Sequence, residues 1–124
     1  MIIKKYNAIC NLGQNIDEIF FKAIKGDNSC FDFVHNNRLA LVKNELPTID
    51  NKFYNLRCNQ LLLEVLKPFE LETFDKKSTA IVVATTNSGV EEYETTNCSK
   101  HFEIGNPAEF LHNHFGLRNF YTSV

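Results

Sequence analysis

The sequence has no tryptophan, one methionine, three prolines and five glycines among its 124 residues. That excludes collagen-like and Pro/Gly-rich low-complexity chains. It has no excess of positive charge. Thirteen Lys and Arg stand against 15 Asp and Glu, for a net charge of -2. The cations are spread singly, and a nucleic-acid binder usually shows a basic excess or stripe, so nucleic acid is not expected as a partner. No apolar run approaches the roughly 20 residues a spanning helix needs, and no membrane partner is expected. Met1-Ile2-Ile3-Lys4-Lys5 shows neither an apolar h-region nor a small-residue cleavage site, so no leader is expected. No C-x-x-C pair occurs. Cys10, Cys30, Cys58 and Cys98 lie far apart and are expected as reduced thiols of a cytoplasmic protein.

What is present fits one domain. Hydrophobic residues make up 44% and charged residues 23%, and a chain of this length removes roughly two-thirds of its unfolded surface from water. Ile2 to Cys10 is a short β-prone opening. Asn15 caps a helix with Asp17 and Glu18 in its first turn, where they favour the positive helix end. Ile16, Ile19, Phe20, Ala23 and Ile24 share one face of that helix, and Gly26 closes it. Residues 26–37 read as loop, Arg38 to Lys43 as a short strand, and Pro47 to Asn51 as loop again. Phe53 to Leu66 reads as a buried helix stopped by Pro68. Thr79 to Thr86 carries the run Ala80-Ile81-Val82-Val83-Ala84, which suits a central strand covered on both faces. Asn87-Ser88-Gly89 reads as a turn and Val90 to Thr96 as a short helix. Asn106-Pro107-Ala108-Glu109 reads as a capped helix start, with Asn106 the cap and Glu109 reaching back. Ala108, Leu111 and Phe115 share the face of that helix, and Gly116 ends it. Phe120 to Val124 reads as a strand. Alternation of this kind predicts an α/β layer structure with a mostly parallel sheet.

Three groups of residues bear on chemistry. Cys98, His101, His112 and His114 contain zinc-ligand types, but His112 and His114 are two apart on a predicted helix and point to different faces, so no metal is expected. A cysteine nucleophile needs a nearby base and an activating environment. Cys30 lies in a loop, Cys58 reads as helix packing, and Cys10 and Cys98 precede no helix start. Thr85, Thr86, Asn87, Ser88 and Gly89 follow the strongest strand, and ligands of open α/β sheets bind at the carboxyl ends of strands. These five are the candidate substrate-binding residues. They match neither the hydrolase elbow nor a phosphate loop.

Leu12-Gly13-Gln14-Asn15-Ile16-Asp17-Glu18-Ile19-Phe20 and Ala23-Ile24-Lys25-Gly26-Asp27-Asn28-Ser29 resemble the opening of the β-ketoacyl-[acyl-carrier-protein] synthases. Phe53 to Leu66 resembles that family's long buried helix, and Ser78 to Gly89 its central strand and small polar turn. Asn106 to Asn119 resembles its helix ending in Gly-Leu-Arg/Lys-Gly, and Tyr121-Thr122-Ser123-Val124 the strand that runs into its nucleophile. The resemblance covers nearly the whole chain in order. It departs at Lys4-Lys5 and Asn7, where the family carries glycines and a threonine, and at Ala84-Thr85.

The resemblance implies the N-terminal portion of the first half of a three-layer thiolase-like fold, incomplete over residues 1–124 and stopping before the nucleophile position. It implies a 3-oxoacyl-[acyl-carrier-protein] synthase activity, the decarboxylative condensation of acyl and malonyl thioesters. Neutral histidines and an oxyanion hole serve that reaction in the family. His35, His101, His112 and His114 do not match the catalytic positions. No catalytic residue is therefore carried over, no cofactor is implied, and the chain alone is expected to be inactive. Acyl carrier protein is the implied partner, with Lys22, Lys25, Lys52 and Arg57 as cations that could face it. A homodimer through the strand near 119–124 is the second implied partnership. Two readings stand beside this one: a non-catalytic dimerisation or carrier-binding module, and an unrelated small α/β protein with a ligand at Thr85–Gly89.

Overall fold

A computed structural model describes residues 5–27, 31–34, 37–40, 42, 45–85 and 105–124. Its elements run α1 (Ile16–Ile24), β1 (Phe31–Val34), β2 (Asn37–Ala40), α2 (Arg57–Leu66), two 3-10 turns (Lys67–Phe69 and Leu71–Thr73), β3 (Ile81–Val83), α3 (Asn106–His114) and β4 (Tyr121–Ser123). The class is mixed α/β. No helix among the described residues is long and apolar enough to cross a membrane.

Local chemistry sets the helix ends. The Asn15 side chain accepts the Glu18 backbone N–H at 2.9 Å and starts α1. At the far end Asp27 N–H donates to the Lys22 carbonyl and Gly26 N–H to Ala23 (both 3.1 Å), with Gly26 at φ 63°. α3 ends in the same way. Leu117 N–H reaches the His112 carbonyl at 3.0 Å, and Gly116 sits at φ 60°. A left-handed residue is what both closures require, which is why glycine stands at each.

The core lies between α2, α3 and β3. Val83, Ala108, Phe110 and Leu111 are buried together, with Leu62, Leu63, Leu66, Ile81 and Phe115 packed around them. β3 and β4 pair in parallel, Ile81 beside Tyr121, Val82 beside Thr122 and Val83 beside Ser123. The ladder continues past both strands: Val124 N–H donates to Val83 and Thr85 N–H to Val124. α3 lies in the crossover between the two strands and packs on both. The alternation of elements predicts one mostly parallel sheet; the described residues form this parallel pair and a separate antiparallel pair, β1 with β2.

Several expectations change. Residues 5–9 are not a strand. Cys10 and Gly13 instead close a tight turn on each other, with bonds of 3.0 and 3.2 Å. The span read as loop over 26–37 holds β1, which pairs antiparallel with β2 in a hairpin, Phe31 opposite Ala40 and Val34 opposite Asn37. The strand expected at 38–43 accordingly starts at Asn37 and ends at Ala40. α2 begins at Arg57 rather than Phe53, because residues 52–54 form a turn. It is half-buried, with Asn59 its buried residue. Pro68 lies in the 3-10 turn that follows. β3 is shorter than expected and covered on one face: Val83 is buried, whereas Val82 is 64% exposed. Asn106 is not the cap of α3. Gly105 holds that position without a side-chain bond, because the Asn106 amide is engaged inside the protein. The turn at 87–89 and the helix at 90–96 lie outside the described residues.

One charged group in α1 gives a pH prediction. The Glu18 carboxyl is held below its ordinary 4.5 by the Lys22 ammonium at 2.7 Å and then by the Gln14 backbone N–H at 3.0 Å. A carboxyl depressed in the folded state adds stability above its unfolded pKa and loses it as pH falls through the folded value. The Glu18 contribution should therefore be full above pH 4.5 and fade below it. In an NMR titration the Glu18 side-chain carbonyl should show its midpoint below 4.5, and Lys22→Gln should move that midpoint upward. An unmoved midpoint would remove Lys22 as the cause.

Candidate functional site

The carboxyl ends of β3 and β4 point to the same side because the strands are parallel. α2 and α3 bring their N-terminal turns to that side as well. The two helix starts are joined by a buried amide pair. Asn59 Nδ2 donates to Asn106 Oδ1 and to the Tyr54 carbonyl, each at 2.9 Å, and Asn106 Nδ2 reaches the Phe53 carbonyl at 3.5 Å. Both side chains are sealed from solvent. Buried amides are costly unless paired, and here they pair chiefly with each other and with the turn ahead of α2.

Beside this joint is a cavity of about 350 Å³. Its walls come from Ala8 and Ile9 of the N-terminal segment, Cys58 and Leu61 of α2, Ala84 and Thr85 after β3, and Pro107 of α3. Thr85 is half-buried there. Thr86, Asn87, Ser88 and Gly89, the other candidate binding residues, lie outside the described residues. The lining is mostly apolar, with the Thr85 hydroxyl and the Cys58 thiol as its polar side chains. The Cys58 Sγ sits 3.7 Å from Asn59 Oδ1, an amide oxygen that cannot act as a general base for it. The described lining suits binding of an apolar group.

A second cluster lies along α3. The Asn113 amide donates to the Tyr54 hydroxyl at 3.3 Å. Burial pushes the Tyr54 hydroxyl up. The Asn113 bond opposes that shift, and the nearby Glu109 carboxylate adds to it. His112 stacks on Tyr121 with ring centroids 4.5 Å apart, whereas His114 lies against Phe110 and Phe115. The two histidines therefore turn to different partners. Cys98 and His101 lie outside the described residues, as do Cys30 and His35. Among the described residues no three His, Cys, Asp or Glu side chains gather as metal ligands. Cys10 and Cys58 both stand as thiols.

Of the four cations singled out for a carrier protein, Lys22 pairs with Glu18 and the Lys25 ammonium sits 4.0 Å over the Phe21 ring. Arg57 donates to the Val42 carbonyl at 3.2 Å, and Lys52 is exposed in the turn before α2. The sequence reading missed Asn59. The signal was its place on the stripe Asn59, Leu62, Leu63, Leu66, where a polar residue shares the apolar face and so needs a buried partner. No protein-family model, curated protein or solved structure matches the chain.

Proposed function

We propose that the chain is the N-terminal portion of a β-ketoacyl-[acyl-carrier-protein] synthase-like protein with a thiolase-like fold. In this reading it supplies scaffold rather than catalytic groups to a decarboxylative condensation of acyl and malonyl thioesters. The observation that supports it is the parallel pairing of β3 with β4 across α3, a strand, a helix and a strand in the order the resemblance calls for. The apolar cavity at the carboxyl ends of these strands is compatible with an acyl thioester's chain.

Two measurements test the proposal. The 124-residue chain, given acyl- and malonyl-carrier thioesters, should release no β-ketoacyl product. The endogenous protein should have an intact mass above 14.3 kDa, with a cysteine shortly after the β4 strand. Condensation by the short chain would overturn the scaffold role. A native mass of 14.3 kDa would remove the condensing assignment.

A second reading, a dimerisation module, has its own support. In the β3–β4 register Val82 lies beside Thr122, so Phe120 and Val124 share its face, the one turned away from the core. These three side chains are 64%, 61% and 71% exposed. An exposed apolar sheet face, at the edge of a sheet that has two strands among the described residues, is a ready association surface. Sedimentation should show concentration-dependent dimers, and Val82→Lys with Val124→Lys should leave monomers. A wild-type monomer at high concentration would end this reading.

A further inference from the structure

α1 turns its aromatic side to solvent. Phe20, Phe21 and Ile24 are 67%, 59% and 70% exposed, and no residue of the helix is buried. Glu18, Ile19 and Lys22 form its half-buried side. At about 100° per residue, Phe20, Ile24, Asp17, Phe21 and Lys25 share an outer arc of about 140°. An amphipathic helix lays such an apolar face on a partner, and aromatic side chains are the kind that fill the centre of an interface.

The charges on this face select the partner. Glu18 and Lys22 answer each other within the helix at 2.7 Å. Asp17 and Lys25 instead stand at the two ends of the outer arc, four residues either side of Phe21. The Lys25 ammonium lies 4.0 Å over the Phe21 ring, which places it on that face. Reversing the helix exchanges its acidic and basic ends and leaves the aromatic centre in place. A second α1, antiparallel about a two-fold axis at Phe21, therefore sets Asp17 of each copy against Lys25 of the other. Phe20 and Ile24 flank the Phe21 pair. A partner surface of a single charge sign would meet repulsion at one end. We propose that α1 is a self-recognition helix, and that its partner is the α1 of a second copy of the chain, packed antiparallel through Phe20, Phe21 and Ile24. Two nine-residue helices bury less than the roughly 1,200 Å² of a stable interface. The Kd should therefore be on the order of 10⁻⁴ M, which leaves the chain monomeric at micromolar concentration. This surface belongs to α1 and not to the face of β3 and β4, and the inference is independent of the condensing-enzyme reading.

Nitrogen-15 NMR of the full chain over about 20 µM to 1 mM tests it. The Phe20, Phe21 and Ile24 amides should shift with concentration. Phe21→Ala keeps a good helix former and both charges, and it should abolish those shifts. Asp17→Lys and Lys25→Asp each put like charges at both ends of the pair and should raise the Kd about 10-fold. Labelled Asp17→Lys mixed with unlabelled Lys25→Asp meets opposite charge at both ends and should bind at least as tightly as the wild type. An unmoved Leu111 amide in α3 reports that each variant is folded, and mixing does not repair a variant that is not. Concentration-independent α1 amides in the wild type would overturn the proposal. So would shifts that survive Phe21→Ala, or a mixture that binds no more tightly than the single variants.

Discussion

Leu111→Ala should lower the free energy of unfolding by about 3 kcal/mol, whereas Phe20→Ala should change it by less than about 0.5 kcal/mol. Both residues lie on the apolar stripe of a nine-residue helix. Their surroundings differ. Leu111 is 3% exposed, inside the cluster that joins α3 to β3 and α2. Truncating it removes buried carbons and leaves a void that Phe110, Val83 and Leu66 cannot all close. Phe20 is 67% exposed on α1, a helix with no buried residue. Its truncation removes little that water did not already reach. Urea unfolding of the two variants at pH 7 checks the contrast. Equal losses would mean that α1 is packed in solution, and a loss below about 1 kcal/mol at Leu111 would displace the core from α3.

That contrast also separates what the sequence carries from what it does not. Periodicity and caps depend on neighbours along the chain, so Asn15, Gly26 and Gly116 mark the ends of α1 and α3 from local sequence alone. Which amphipathic face becomes core depends on what the rest of the chain brings to it. The stripe Ile16, Ile19, Phe20, Ala23, Ile24 is as regular as Ala108, Leu111, Phe115, yet α1 has no buried residue, whereas α3 packs on β3 and β4. β1 shows the same limit. Phe31-Asp32-Phe33 alternates at the strand period, but the polar run before it reads as loop until β2 supplies the pairing partner. Val82 looks central by composition and is open by topology. At the candidate site, Thr85 was legible as the residue after the strongest strand. The cavity walls from Ala8, Cys58 and Pro107 were not, because those residues are far apart in sequence and meet only through the fold.

The amide pair that joins α2 to α3 should behave as one unit. Asn59→Leu should cost about 2–4 kcal/mol, because it leaves Asn106 Oδ1 buried without its donor and leaves the Tyr54 carbonyl with the Leu56 N–H alone. Asn106→Leu should cost somewhat less, since it strands one Asn59 donor and gives up a longer bond of 3.5 Å to the Phe53 carbonyl. In the double variant the two side chains no longer strand each other, and two apolar groups meet where two amides met. Its loss should fall short of the summed single losses by about 1 kcal/mol or more. The alternative is that each amide serves only the turn at 53–54, in which case the two losses would add to within about 0.5 kcal/mol. Urea unfolding of the four proteins in the cycle decides between them. The pair also holds the two helix starts that wall the cavity at Cys58 and Pro107. An apolar fluorescent probe bound in that cavity should therefore weaken in either single variant, and it should do so under conditions where the variant is still folded.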